Sequence, residues 1–244
     1  MAEKKKFYTS FHDLSPREYM YIPTGSLDAG KPGSFSKVEL GHLLIAILTL
    51  TVAFSFTFSQ NSILFYVLGM EINAWSYISN IPLVLLGIVT AFFVHELSHK
   101  FLAQKYGLWS EFRMYPQGLL FSVVFAFTTG FVFAAPGAVM FRGETRPYEA
   151  GRIAAAGPAA NICIAVVTYI LYRFLFMHNA FWGPLIGFIC LVNSLLATFN
   201  LLPLGPLDGK KVIEWSNLVW TVLFSVSVLF LGGMFVGGLI LPGF

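Results

Sequence analysis

The chain has 244 residues, 57% of them hydrophobic and 11% charged, and a mean hydropathy of +0.73. Soluble domains are roughly half apolar and a quarter charged, so the composition excludes a soluble fold and implies an integral membrane protein. With a formal charge of +3 and Lys and Arg scattered between apolar runs, nucleic acid is excluded as a partner.

Residues 1–40 read as a polar tail, too long for the n-region of a signal peptide, and His12 within it earns no functional reading. Residues 41–244 read as one transmembrane domain. A bilayer core needs about 20 apolar residues per helix, and such spans fall at 41–59, 81–102, 152–175, 181–202 and 218–241. Residues 63–79, broken by Glu71 and Asn73, suit an interfacial connection. His42 and His178 sit at the ends of spans and read as interfacial side chains. Cys163 and Cys190 fall in apolar runs as small packing residues. Near the C-terminus, Gly232, Gly233, Gly237 and Gly238 include a GxxxG pair, read first as intramolecular helix packing.

Residues 118–141 are ambiguous. Thr128, Thr129 and Gly130 interrupt an apolar run, and Ala135, Pro136 and Gly137 follow, a pattern that suits a hairpin but leaves a short helix open. Non-helical backbone at membrane depth must be packed in protein or line a cavity. The expected architecture is therefore an all-α polytopic membrane protein of five to six helices with a small re-entrant β-hairpin. Lys4, Lys5 and Lys6 place the tail in the cytoplasm by the positive-inside bias. Lys100, Lys105, Arg113, Arg142, Arg146, Arg152, Lys210 and Lys211 then share that side, provided 118–141 does not cross.

The span 81–102 carries His95, Glu96 and His99 as HExxH. A helix brings positions i and i+4 onto one face, so both imidazoles can reach one metal ion. Burying ionisable groups in a bilayer costs about 2.5–3.5 kcal/mol each, which argues for function. Two histidines and one carboxylate leave zinc an open position for water, whose pKa falls towards about 7 and whose proton Glu96 can take.

A third ligand must come from elsewhere in the chain. Asp13 and Asp28 lie in the tail, whereas Asp208 sits in FNLLPLGPLDGKK, residues 199–211, just past a span. Helix 81–102 runs from outside to inside, with His95 about 21 Å along a core about 30 Å thick. Asp208 meets it only if an even number of spans intervenes, which again requires 118–141 not to cross. Glu111 and Glu214 are the alternative ligands, as in a membrane zinc protease of the prenyl-protein-processing type. A non-catalytic metal-binding membrane protein is a further alternative.

HELSH in one span, AAGPAAN at 155–161 and NLLPLGPLDG at 200–209 together resemble the site-2 protease family over about residues 81–215. The resemblance implies a membrane-embedded zinc endopeptidase that cuts transmembrane segments of membrane-protein substrates, in the cell membrane of a prokaryote. It implies one zinc ion held by His95, His99 and Asp208, with Glu96 as catalytic acid and base. Asn200 corresponds to the asparagine thought to hold substrate or the oxyanion. Asn161 and Asn193 are possible further site residues, each read more readily as structural. The family's short sheet after the HExxH helix, along which substrate is thought to lie as an added strand, corresponds to 118–141. No stretch of about 80–100 soluble residues is present to form a PDZ module.

Overall fold

The computed structural model describes residues 33–132, 136–143 and 145–236. The expected tail up to residue 32, and Gly237 and Gly238, lie outside them. Residues 37–40, expected in the tail, already belong to the first helix.

Helix α1, Lys37–Phe58, starts where the Ser36 side chain accepts the Glu39 N–H at 3.1 Å, an ordinary N-cap. A short helix α2, Ile63–Val67, follows, and α3, Ala74–Ile88, begins at an Asn73 cap. A π-helical turn, Val89–Phe93, leads without a break into α4, Val94–Lys105. Such π turns are frequent at functional sites, and this one ends two residues before His95. The helix carrying HExxH thus begins at Ala74 rather than near 81, and only α2 and the turn after it make the connection expected over 63–79. His95 lies about 15 Å from its C-terminal end at 1.5 Å per residue.

Strand β1, Trp109–Met114, pairs antiparallel with β2, Gly137–Arg142, with Phe112 opposite Val139. Between them lies α5, Pro116–Thr129. The hairpin is present after the HExxH helix, but residues 118–141 do not form it alone. They hold the helix and most of the second strand, and the first strand lies upstream in WSEFRM. Gly130 ends α5 in the left-handed region at φ 77°, so the break expected at Thr128–Gly130 is a helix cap. At about 21 Å long, α5 is shorter than a bilayer core of about 30 Å.

Helices α6, Pro147–Leu171, α7, Trp182–Asn200, α8, Asp208–Trp215, and α9, Asn217–Val236, complete the described chain. Among the described residues, five helical segments are long and apolar enough to cross a membrane: 37–67, 74–105, 147–176, 182–200 and 217–234. This is an integral membrane protein. Two such segments separate His95 from Asp208, the even number that the sequence required. Apolar burial drives little helix association in lipid, so close packing by small residues does. Helix α6 buries Ala150, Gly151, Ala154, Ala155 and Gly157, which brings α4 and α8 against it. Gly232 and Gly233 of α9 have no atom of the described residues within 4 Å of a built Cβ. The other glycine of the GxxxG pair, Gly237, lies outside the described residues. Cys190 is buried, whereas Cys163 is exposed on the outside of α6.

Candidate metal centre

The fold brings His95, His99 and Asp208 together. The two Nε2 atoms lie 3.0 Å apart, and Asp208 Oδ2 is 3.2 Å from that of His95 and 3.1 Å from that of His99. Helix α4 supplies the imidazoles one turn apart. The carboxylate arrives on the first residue of α8, after the turn that Pro203 and Pro206 impose. Gly209 makes that placement possible, because a Cβ there would stand 2.1 Å from the Leu201 carbonyl oxygen. The same oxygen accepts the Trp220 indole N–H at 2.8 Å, which ties the loop to α9.

Hydrogen bonding fixes both tautomers. His99 Nδ1 donates to the Ile153 carbonyl at 2.7 Å, and His95 Nδ1 donates to Asn161 Oδ1 at 2.6 Å. The Asn161 amide cannot be turned round, since its Nδ2 donates to Ala91 O and Asn193 Oδ1, each at 2.9 Å. Asn193 in turn donates to Ile189 O at 2.9 Å. With protons on both Nδ1 atoms, both neutral rings aim Nε2 lone pairs at each other and at a carboxylate. Such a grouping is repulsive without a cation between its members.

The three atoms fit zinc. Tetrahedral bonds of about 2.0–2.1 Å separate ligand atoms by about 3.3 Å, near the observed triangle. A second observation agrees: a Cβ on Gly157 would stand 2.4 Å from His99 Nε2 and 2.7 Å from His95 Nε2. Helix α6 therefore has no side chain where the ligand atoms converge. In the sequence this closeness to both imidazoles is legible only as a small residue within AAGPAAN.

Glu96, also on α4, points elsewhere. Its Oε2 accepts the Val139 N–H of β2 at 3.1 Å. His95, His99, Glu96, Asp208, Asn200 and Lys211 all line one cavity of about 440 Å³. Its other walls are apolar, with Leu50 and Phe54 from α1, Gly137 and Val139 from β2, and Leu196 and Phe199 from α7. Asn200 donates one amide proton to Leu196 O at 3.1 Å. Asn161 and Asn193 are fully buried behind His95 and lie outside the cavity lining. Lys211, which sequence reasoning left without a site role, has Nζ 4.0 Å from Asp208 Oδ1.

The alternative ligands go elsewhere. Glu111 is buried on β1, paired with Arg113; burial raises its carboxyl, and Arg113 opposes the rise. Among the described residues, the single cluster of His, Cys, Asp and Glu able to hold a metal is His95, His99 and Asp208.

An HExxH pair and a distant aspartate, buried among membrane-spanning helices and opening on an apolar cavity, define a membrane-embedded metalloprotease class. The sequence model of peptidase family M50 matches residues 83–184. "Putative zinc metalloprotease MJ0611" of Methanocaldococcus jannaschii is 35% identical over 192 residues, 78% of this chain and 90% of that protein. "Putative zinc metalloprotease YwhC" of Bacillus subtilis is 30% identical over 156 residues, 56% of this chain and 70% of that protein. No solved structure matches the chain. The chain belongs to peptidase family M50, the site-2 protease family of zinc metalloproteases.

Proposed function

We propose that this protein is an intramembrane endopeptidase that hydrolyses peptide bonds in transmembrane segments of membrane-protein substrates, near the cytoplasmic face. The observation that carries the reading is the shared cavity. One largely apolar space among the helices is lined by the three ligand residues, Glu96 and the outer edge of β2.

Helical carbonyls are screened by their own hydrogen bonds, so a substrate segment has to unwind before a bond is exposed. An unwound segment loses backbone hydrogen bonds at membrane depth, where each loss is costly. The outer edge of β2 offers replacements by strand addition. Zinc, one ion per chain at His95, His99 and Asp208, supplies a Lewis acid and an acidified water when bound. Glu96 takes the proton from water and delivers it to the leaving amine. Asn200 donates to the developing oxyanion. Asn161 and Ile153 O hold both imidazoles with Nε2 available, and Asn193 holds Asn161. The apolar walls keep bulk water from the site.

Basic residues at one end of the bundle, among them Lys105, Arg142, Lys210 and Lys211, support a cytoplasmic site and tail. The polar groups converge on one cavity rather than lining a path across the bundle, which favours hydrolysis over transport. The test is cleavage of a single-span substrate by the purified protein. Glu96→Gln is expected to lower the rate by roughly 10²- to 10⁴-fold with zinc retained. Equal cleavage by that variant refutes the role of Glu96, and no cleavage by the zinc-loaded parent refutes the activity.

A further inference from the structure

Lys100 follows the second histidine of HELSH directly, and its side chain is 1% exposed; Glu39, 61 residues earlier on α1, is fully buried. Neither takes part in the chemistry above. Lys100 Nζ donates to Glu39 Oε2 at 2.8 Å and to the Ser110 carbonyl of β1 at 2.9 Å. Glu39 Oε1 accepts the Phe112 N–H of β1 at 2.9 Å. The Phe35 ring lies 4.7 Å from the ammonium.

The strand register gives these bonds their meaning. Phe112 faces Val139, and both N–H groups leave the sheet, one to Glu39 and one to Glu96. They form a non-hydrogen-bonded pair of the antiparallel ladder, and the same parity turns the Ser110 carbonyl outward. Glu39 and Lys100 thus occupy the outer edge of β1 as a third strand would. Glu96 and Lys100 are four residues apart on one face of α4, about 6 Å along the axis, close to the strand spacing of about 4.8 Å. One helix turn spans the sheet, with Glu96 on the edge of β2 and Lys100 on the edge of β1.

A two-stranded sheet is marginal alone. Replacing a buried ion pair with apolar residues of similar size is often neutral or stabilising, so stability gives no reason to keep these charges. We infer that Lys100 and Glu39 are positioning residues, a staple on β1 that sets where β2 presents its free edge to Glu96 and to an added substrate strand. The inference rests on the reading that substrate lies along β2. An added strand competes with Glu96 for the Val139 N–H, and the staple then holds the sheet in register with α4.

The test uses the full chain, zinc-loaded, with a single-span substrate whose cut bonds are mapped by mass spectrometry. The double variant Glu39→Met with Lys100→Met removes the staple without leaving a lone buried charge. It is expected to keep zinc, because α6 orients both histidines. It is also expected to spread cleavage over neighbouring bonds and to lower kcat roughly 10- to 100-fold, as a misplacement of about 1 Å does. The charge-swapped double, Glu39→Lys with Lys100→Glu, keeps the ion pair but sets a donor against the Phe112 N–H and an acceptor against the Ser110 carbonyl. It is expected not to restore the single cut. Unchanged cut position and kcat in the Met pair, recovery in the swapped pair, or loss of zinc along with activity would each overturn the proposal. Amide hydrogen exchange over 109–114 and 137–142 reads the sheet without catalysis. Faster exchange at Phe112 and Val139 in the Met pair supports the staple even if the parent cuts nothing, an outcome that sinks the protease reading alone; unchanged exchange there overturns it.

Discussion

Gly157→Ala adds one carbon at the point where α6 crosses the two histidines. That carbon would stand 2.4 Å from His99 Nε2 and 2.7 Å from both Cε1 and Nε2 of His95. To reach an ordinary contact of about 3.5 Å, the nearest ring atom must retreat by about 1 Å. Metal–ligand distances tolerate only about 0.2 Å, and neither ring swings freely, since each Nδ1 is held to α6 by a hydrogen bond. The loss should reach at least the roughly 10- to 100-fold in affinity that a lost outer partner costs, about 1.4–2.7 kcal/mol at 1.36 kcal/mol per decade. Helix α6 itself should gain, because alanine is favoured over glycine by about 1 kcal/mol in a helix interior. The assay is a zinc titration against a competing chelator, alongside thermal melting of the apo protein by circular dichroism. Parent-like zinc affinity in the alanine variant would refute the placement of the metal against α6.

Asp208→Ala is expected to abolish stoichiometric zinc binding, while Glu111→Gln and Glu214→Gln keep it; metal analysis of the purified variants decides among the three carboxylates. Asn161→Leu should weaken zinc roughly 10- to 100-fold by leaving His95 Nδ1 without its acceptor, a change measured by the same titration. Asn200→Ala should leave zinc affinity at the parental value and lower kcat roughly 10²- to 10³-fold, the usual effect of losing an oxyanion donor. Unaltered turnover of a single-span substrate would remove Asn200 from the reaction.

The five spans were legible because bilayer thickness acts on every residue of a segment, and an apolar run of sufficient length reports it directly. The meeting of Asp208 with HELSH was legible through parity, a constraint that needs only the number of crossings. The position of β1 was not. WSEFRM carries Glu111 and Arg113 in a strand buried on both faces at its centre, and those charges pair with each other and lie beside the Glu39–Lys100 pair. The apolar runs around Thr128–Gly130 therefore drew the expected hairpin downstream into α5. Asn161 offered a similar difficulty. A buried amide in a membrane helix reads more readily as helix association than as a site residue, and only the 2.6 Å contact with His95 Nδ1 ties it to the metal centre.

His95, Glu96 and His99 occupy one turn of one helix but depend on different supports. The imidazoles are oriented by α6, through Asn161 and the Ile153 carbonyl, whereas the Glu96 carboxylate is oriented by the sheet, through the Val139 N–H. Helix α6 also packs against α8, which carries Asp208, so all three ligand atoms share one scaffold. The base shares its scaffold with the strand edge proposed to receive substrate. A displacement of β2 therefore reaches Glu96 before it reaches the metal. On the proposed reading, in which an unwound peptide adds along β2, this division keeps the ligand triangle apart from the strand edge that meets the incoming segment.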